Sequence, residues 1–455
     1  MESPHVVFIV VDSLRKDYAK PLEIETKKLG FVPYENVIAS ASWTTPSHAS
    51  MFTGLYPLLH GAHEMRTKKS LEVKLSSSKT LLTDVLKANY DYDTYLISAN
   101  VFVSPYFGFK GFDNYFDVHP MRSSFLSLDE QLYIRKLRME KSKIQTSLEL
   151  IRNKKFTLLF RATLHYFQRR FRKVKQRLGI GDWPLDKGIK NAIKIVKAMK
   201  FDNPTFIFMN LMELHEPYSL KEPPTPKVIA ENYKTNTLDS NVVKIWRENY
   251  PKKVAYVTRR ILEMLKVLKN KGVFDKSLII ITSDHGQLLG EHNRIGHGTF
   301  LYDELTRVPL FIKYPKDQEI EHVVPHEVKH ISLTKLKSYI LGVISGKILS
   351  DEYLCDDVVF SESYGIPETS VINEISRSVL TEQEKKNIDH LEKYRVAIYY
   401  KNFRGVFNVV DWRFEEIISY DPKVEVTEDV VKRMKTEIVK FLRTATLIKT
   451  LKLES

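Results

Sequence analysis

Trp43-Thr44-Thr45-Pro46-Ser47-His48-Ala49-Ser50-Met51-Phe52-Thr53-Gly54-Leu55-Tyr56-Pro57-Leu58-Leu59-His60-Gly61 is the stretch around which the chain is organised. A hydroxyl residue stands two positions before a proline, and small and apolar residues then run to Gly54, Pro57 and Gly61. Pro46 suits the first turn of a helix, where its missing N–H has no partner to lose. A hydroxyl at that point sits among unpaired N–H donors at the positive end of the helix dipole, a favourable place for an anionic oxygen. The stretch therefore reads in two ways. Thr44 is an exposed nucleophile at the mouth of a helix, or Thr44 or Thr45 merely caps that helix.

Outward from this stretch lie three apolar runs that end in polar residues. Val6–Val11 is β-branched, reads as a buried parallel strand, and runs into Asp12-Ser13. Thr205–Met209 leads to Asn210 and on to His215-Glu216-Pro217-Tyr218, and Ser277–Thr282 delivers Ser283-Asp284-His285-Gly286. The C-terminal ends of parallel strands are where α/β sheets bind ligands. An Asp-His pair at such an end offers one cation a hard oxygen and a borderline nitrogen. Gly286 lets the backbone turn away closely. Asp12 alone could equally cap a turn, and a lone histidine such as His215 could be an ordinary loop residue.

Together these segments resemble the sulfatase branch of the alkaline-phosphatase-like superfamily. The pattern there is Cys or Ser, any residue, Pro, Ser, Arg, followed by a small-residue run, Thr-Gly, Tyr-Pro and His-Gly. Here it is met by Thr44, Thr45, Pro46, Ser47, His48, Thr53-Gly54, Tyr56-Pro57 and His60-Gly61. The resemblance implies an α/β, alkaline-phosphatase-like three-layer sandwich with a mainly parallel central sheet and a small C-terminal α+β subdomain. It makes Thr44 the nucleophile and places Asp12, Thr44, Asp284 and His285 around one divalent cation (Ca, Mg, Mn or Zn). It assigns His215 and His297 to catalysis and substrate binding, with His48 and Asn100 as further substrate contacts. In two-metal relatives, the positions of His215 and His297 serve a second ion. Glu213 lies near a position where some relatives hold an Asp.

This sequence departs from the pattern in three places. The residue that sulfatases convert to formylglycine is Thr44, so that modification cannot occur. The Arg is His48, and the second acid after the first strand is Ser13. A formylglycine enzyme releases sulfate by collapse of a hemiacetal, which a threonine ester cannot do. The expectation is therefore metal-dependent hydrolysis of phosphate or sulfate esters through Thr44, with phosphoester chemistry favoured. The alternatives are a sulfuric ester hydrolase working without formylglycine, a phosphoglycol- or phosphoethanolamine-type transferase on a lipid or glycan, and a non-catalytic binding protein.

The bulk composition adds a partner. The 455 residues carry a net charge of +14, which calls for something anionic: an ester substrate, a membrane surface or a polyanion. Residues 134–177 hold 15 Lys and Arg against Glu140 and Glu149, a net +13, close to the whole excess. Within them Phe156, Phe160, Leu164, Phe167, Phe171, Val174 and Leu178 recur at helical spacing. Such a helix either packs its aromatic stripe on the catalytic domain or a second subunit, or lies on an anionic bilayer along residues 156–178. No motif for sequence-specific nucleic-acid reading accompanies the charge.

The expected organisation is a catalytic domain at 1–120 and 186–345, a basic helical insert at 121–185 and a small subdomain at 346–455. Helices are predicted at Thr80–Lys87, Lys187–Lys200, Tyr256–Lys269, His330–Ile340 and Val430–Thr444. A single cysteine, Cys355, excludes an intrachain disulfide. With no apolar run of about 18 residues, the expectation is a cytoplasmic protein, peripheral at most to the inner face of the membrane, and open to homo-oligomerisation.

Overall fold

The computed structural model describes residues 3–120, 126, 130, 133–134, 137, 141–177, 183–323 and 328–453. The central sheet is built from β1 (His5–Val11), β2 (Val32–Tyr34), β3 (Asp93–Ser98), β4 (Asn114–Asp117), β5 (Thr205–Leu211), β6 (Ser277–Thr282) and β7 (Leu310–Lys313). Its strand order is β2-β7-β6-β1-β5-β3-β4, with β7 antiparallel to both neighbours and the other strands parallel to one another. β1, β5 and β6 are apolar and buried on both faces, as strands covered by helices on each side must be. Two apolar clusters, one per face, complete the three layers.

α1 (Thr44–Thr53) carries the opening motif and is buried along its whole length. On the opposite face packs a long helix, α2 (Ser240–Asn270), which continues through Pro251. The predicted start at Tyr256 is therefore corrected upstream. Val242, Trp246, Tyr250, Val254, Val257 and Ile261 form one buried stripe, and its burial outweighs the roughly 3 kcal/mol an interior proline costs. His330–Ile340 is corrected as well. His330–Ser332 is a short strand paired with Val37–Ile38 and Cys355–Asp356, a single 3₁₀ turn follows, and the helix runs only over Leu336–Ile344.

The predicted small subdomain contains a four-stranded antiparallel sheet of Val358–Ser363, Arg395–Tyr400, Phe403–Asn408 and Arg413–Ser419. The terminal helix Glu428–Leu453 lays Met434, Ile438 and Phe441 against it. Cys355 is a free thiol. Among the described residues no helix is long and apolar enough to cross a membrane.

Candidate active site

The register of three neighbouring strands brings the expected ligands together. Val10 of β1 pairs with Asn210 of β5 on one side and Thr282 of β6 on the other. Asp12 and Asp284 each lie two residues beyond those pairs. Asp12, Asp284 and His285 are wholly buried and offer ligand atoms within 4.8 Å of one another. Thr44, at the N-terminus of α1, places Oγ1 3.5 Å from Asp12 Oδ2 and 3.5 Å from His285 Nε2. Trp43, not a threonine, holds the cap position.

The residues present fit a divalent cation. Asp284 Oδ2 is buried without a hydrogen-bond partner, a costly arrangement for a carboxylate unless an ion satisfies it. His285 Nδ1 donates to Gly286 O at 2.8 Å, which fixes the tautomer and leaves the Nε2 lone pair facing the two carboxylates. Nε2 lies 3.4 Å from Asp284 Oδ2 and 3.9 Å from Asp12 Oδ1. Gly286 is required here, because a Cβ would sit 1.8 Å from Glu304 O.

Ser13 stands in the left-handed region at φ 65°. From there its Oγ donates to Asp12 Oδ1 at 2.9 Å and its N–H to Asp284 Oδ1 at 3.2 Å. Tyr250 of α2 holds this turn from outside, donating to Ser13 O at 2.6 Å and accepting from Arg15 N–H at 3.0 Å. Asn100 Nδ2 donates to Asp12 Oδ2 at 2.9 Å and approaches Thr44 Oγ1 at 3.4 Å.

A second cluster adjoins the first. His215, Glu216 and His297 also offer ligand atoms within 4.8 Å of one another. His215 Nδ1 donates to Glu216 O at 2.9 Å, and His297 Nδ1 donates to Gln287 Oε1 at 2.7 Å. Gln287 in turn donates to Glu216 Oε2 at 3.0 Å. The His297 ring stacks on His285 with centroids 4.5 Å apart. Thr44, Asn100, His215 and His297 line a cavity of about 160 Å³ walled by Trp43 and Phe102.

The sulfatase family profile matches residues 4–335. The chain belongs to the sulfatase family. Its curated relatives match over short segments only, and the chain spans 15–23% of their length. One is an N-acetylglucosamine-6-O-sulfatase of Bacteroides thetaiotaomicron, 36% identical over 93 residues, which is 19% of this chain and 16% of that protein. Among solved structures, a phosphonate monoester hydrolase from Silicibacter pomeroyi superposes with a TM-score of 0.57 at 14% identity, covering 97% of this chain and 95% of that one. A 2-O glycosaminoglycan sulfatase superposes with a TM-score of 0.60 at 12% identity, covering 98% and 93%. These likenesses show the alkaline-phosphatase-like fold expected from the sequence.

Against the sulfatase pattern, two expectations change. Thr44 is recessed rather than exposed, at 3% of its accessible surface, on the wall of the cavity. His48 is buried beneath the site, not turned into the cavity. Its Nδ1 donates to Thr44 O at 2.9 Å and its Nε2 accepts from Asn210 Nδ2 at 3.1 Å. Burial depresses its pKa, so a neutral strut stands where the family has a cationic Arg. Glu213 likewise serves structure, accepting from the N–H groups of Lys187 and Ile189 at the start of the helix Ile189–Ala198.

The electrostatics follow from this crowding. Burial opposes ionisation of Asp12, but His215, His285 and the Asn100 bond outweigh it and hold the carboxyl below its usual range. Asp284 is pushed up by burial and by Asp12. Burial and then His285 push His297 down to about 3. Burial also opposes a charge on His215, yet Glu216 and Asp12 raise its pKa overall. The two neighbouring rings are thus pushed in opposite directions, His215 toward its protonated form and His297 toward its neutral one.

Sequence reasoning did not single out Asn210, Gln287 or Glu216. Asn210 reads as the polar end of a strand, and only its register against β1 places it beside Asp12, at 3.4 Å. Glu216 and Gln287 meet across 71 positions of sequence, a separation over which no local pattern operates.

Proposed function

We propose that this sulfatase-family chain is a metal-dependent ester hydrolase that uses unmodified Thr44 as nucleophile, with phosphoesters as its preferred substrates. The convergence of Asp12, Asp284, His285 and Thr44 Oγ1 on one point carries the reading. Asp12, Thr44, Asp284 and His285 would hold the ion. When bound, a divalent cation lowers the pKa of a hydroxyl it touches and offsets charge on the ester. The position of Thr44 at the N-terminus of α1 favours the same anionic oxygen.

In the reaction, Thr44 releases its hydroxyl proton to solvent and Oγ1 attacks phosphorus in line, its bond to phosphorus forming as the bond to the leaving oxygen breaks. Asn100 donates to the non-bridging oxygens and holds Asp12 in place. His215, the ring whose pKa is raised, gives its proton to the departing alkoxide. His297, largely neutral, then takes a proton from the water that releases phosphate from Thr44. His215, Glu216 and His297 also have the donor set for a second ion, and holding one would take both rings out of proton transfer.

Two names among the related proteins bear on the substrate. Phosphonate monoester hydrolases share the fold, and a singly charged phosphonate or phosphodiester suits a threonine ester that water can hydrolyse. A sulfuric ester hydrolase is the second reading, favoured by the family itself. A phosphoethanolamine-type transfer differs only in the acceptor, an alcohol in place of water. An anionic substrate fits the basic chain in every version, and an intracellular site fits a chain with one free cysteine.

The test is turnover of aryl phosphodiester, aryl phosphonate and aryl sulfate by the metal-loaded protein, with Thr44→Ser and Thr44→Ala alongside. The expected result is phosphodiester or phosphonate turnover retained in part by Thr44→Ser and lost by about 10³-fold or more in Thr44→Ala. A mass increment on Thr44 in quenched wild-type protein marks the covalent intermediate. Full activity in Thr44→Ala overturns the assignment. Turnover of aryl sulfate alone selects the second reading.

A further inference from the structure

Among the described residues, the phenylalanines of the aromatic stripe are not buried in the catalytic domain, the first of the two packing partners expected. Two helices of the insert are described, α3 (Lys143–Arg152) and α4 (Phe156–Arg177), and they pack on each other. On α4, Phe156, Phe160, Phe167 and Phe171 are 60–64% exposed, unlike the buried phenylalanines of the core. Their spacing of 4, 7 and 4 puts all four rings on one face. On α3, Ile144, Leu148 and Ile151 are 73%, 58% and 44% exposed, again at helical spacing. Lys143, Arg152 and Arg170 are exposed on these two helices, and Lys154 and Lys155 in the turn that joins them.

We infer that this helical pair is a docking surface for an anionic phospholipid bilayer. The inference is independent of the ester chemistry. An α4 of 22 residues is about 33 Å long, long enough to lie in the plane of the interface with its phenylalanines at the acyl boundary. Aromatic rings and long basic side chains are the two residue types such a surface needs, the rings for the hydrocarbon edge and the cations for the phosphates. A second copy of this chain is the poorer occupant, because two faces from segments carrying +13 each would repel. A nucleic acid would match the charge but leave a row of phenylalanines with no pairing register to fill.

The experiment is co-sedimentation of the full-length protein with vesicles of phosphatidylcholine alone and of phosphatidylcholine with 30% phosphatidylglycerol. Wild type is compared with Phe160→Glu/Phe167→Glu, both exposed positions. Expected results are binding to the anionic vesicles only, a loss of about tenfold or more in the double variant, and a comparable loss on raising salt from 0.1 to 0.5 M. Circular dichroism and turnover of a soluble aryl ester stay at wild-type values in the variant, which separates this outcome from any failure of the active site. Three results overturn the inference: equal binding by the double variant, no salt-sensitive binding by wild type, or a wild-type dimer in light scattering that the double variant converts to monomer. Tighter retention by duplex DNA than by anionic vesicles, unaffected by the two substitutions, overturns it too.

Discussion

Replacing Asp284 with asparagine separates the two demands made on the buried acidic pair. Asp12 and Asp284 lie within 4.8 Å of each other with both side chains fully buried. Two like charges at that distance repel by about 3.5 kcal/mol at an effective dielectric of about 20. Asparagine keeps the Oδ1 acceptor for the N–H groups of Ser13 and His285 and replaces the unpartnered Oδ2 with an amide. Burial and Asp12 raise the folded-state pKa of Asp284 above its unfolded value. The penalty therefore grows as pH rises from the unfolded carboxylate pKa through the raised one, and it vanishes at acid pH. In chelator-treated protein at pH 8, Asp284→Asn should be the more stable, with a midpoint about 3–6 °C higher for a chain of this size. Added divalent cation should reverse the order. Wild type gains about 2.7 kcal/mol at 100 times its dissociation constant, and the variant gains far less. Thermal melts with and without cation give both numbers. An ion-free variant less stable than wild type at pH 8, or one that keeps the full cation-dependent shift, refutes the placement of the ion.

Asn100→Ala removes the 2.9 Å bond to Asp12 and the contact with Thr44; a hydrogen bond to a charged group is worth about 1.5–3 kcal/mol, so kcat/KM should fall roughly 10- to 150-fold with the fold intact. Steady-state kinetics beside a circular dichroism spectrum decide it. His60 is buried and held at about 3 by burial and His63. Because its folded pKa lies below the unfolded one, stability present above about pH 6.5 is lost as pH falls, by about 2 kcal/mol at pH 5 from this residue alone. His60→Gln should be less stable at pH 8 yet show a flatter acid limb in denaturant titrations.

Much of this site was legible in the chain because its parts are local. A strand ending in Asp12, a helix opening at Thr44 and the Asp284-His285-Gly286 turn each announce themselves within a few residues, and the parallel strands do the rest. What stayed hidden depends on register and distance. The role of Ser13 is carried by its backbone as much as its hydroxyl, and a left-handed serine leaves no trace in composition. His330 enters a three-residue strand only because Val37 and Cys355 flank it, while its neighbours alone favour a helix. The helix expected from Tyr256 begins at Ser240 instead, because the buried stripe of α2 runs on past Pro251. The aromatic stripe at 156–171 was plain, but whether it faced protein or solvent was a tertiary question.

The left-handed Ser13 also fixes the ionic ledger of the pocket. Where relatives bring another acid, this chain brings an amide and a hydroxyl. On the proposed reading, two carboxylates would balance one doubly charged ion before Thr44 loses its proton. A monoanionic ester entering that setting would need one further positive charge, and the raised pKa of His215 favours supplying it. A dianionic ester would leave a surplus. On the proposed chemistry, a preference for singly charged substrates would trace back to the backbone angle of one serine.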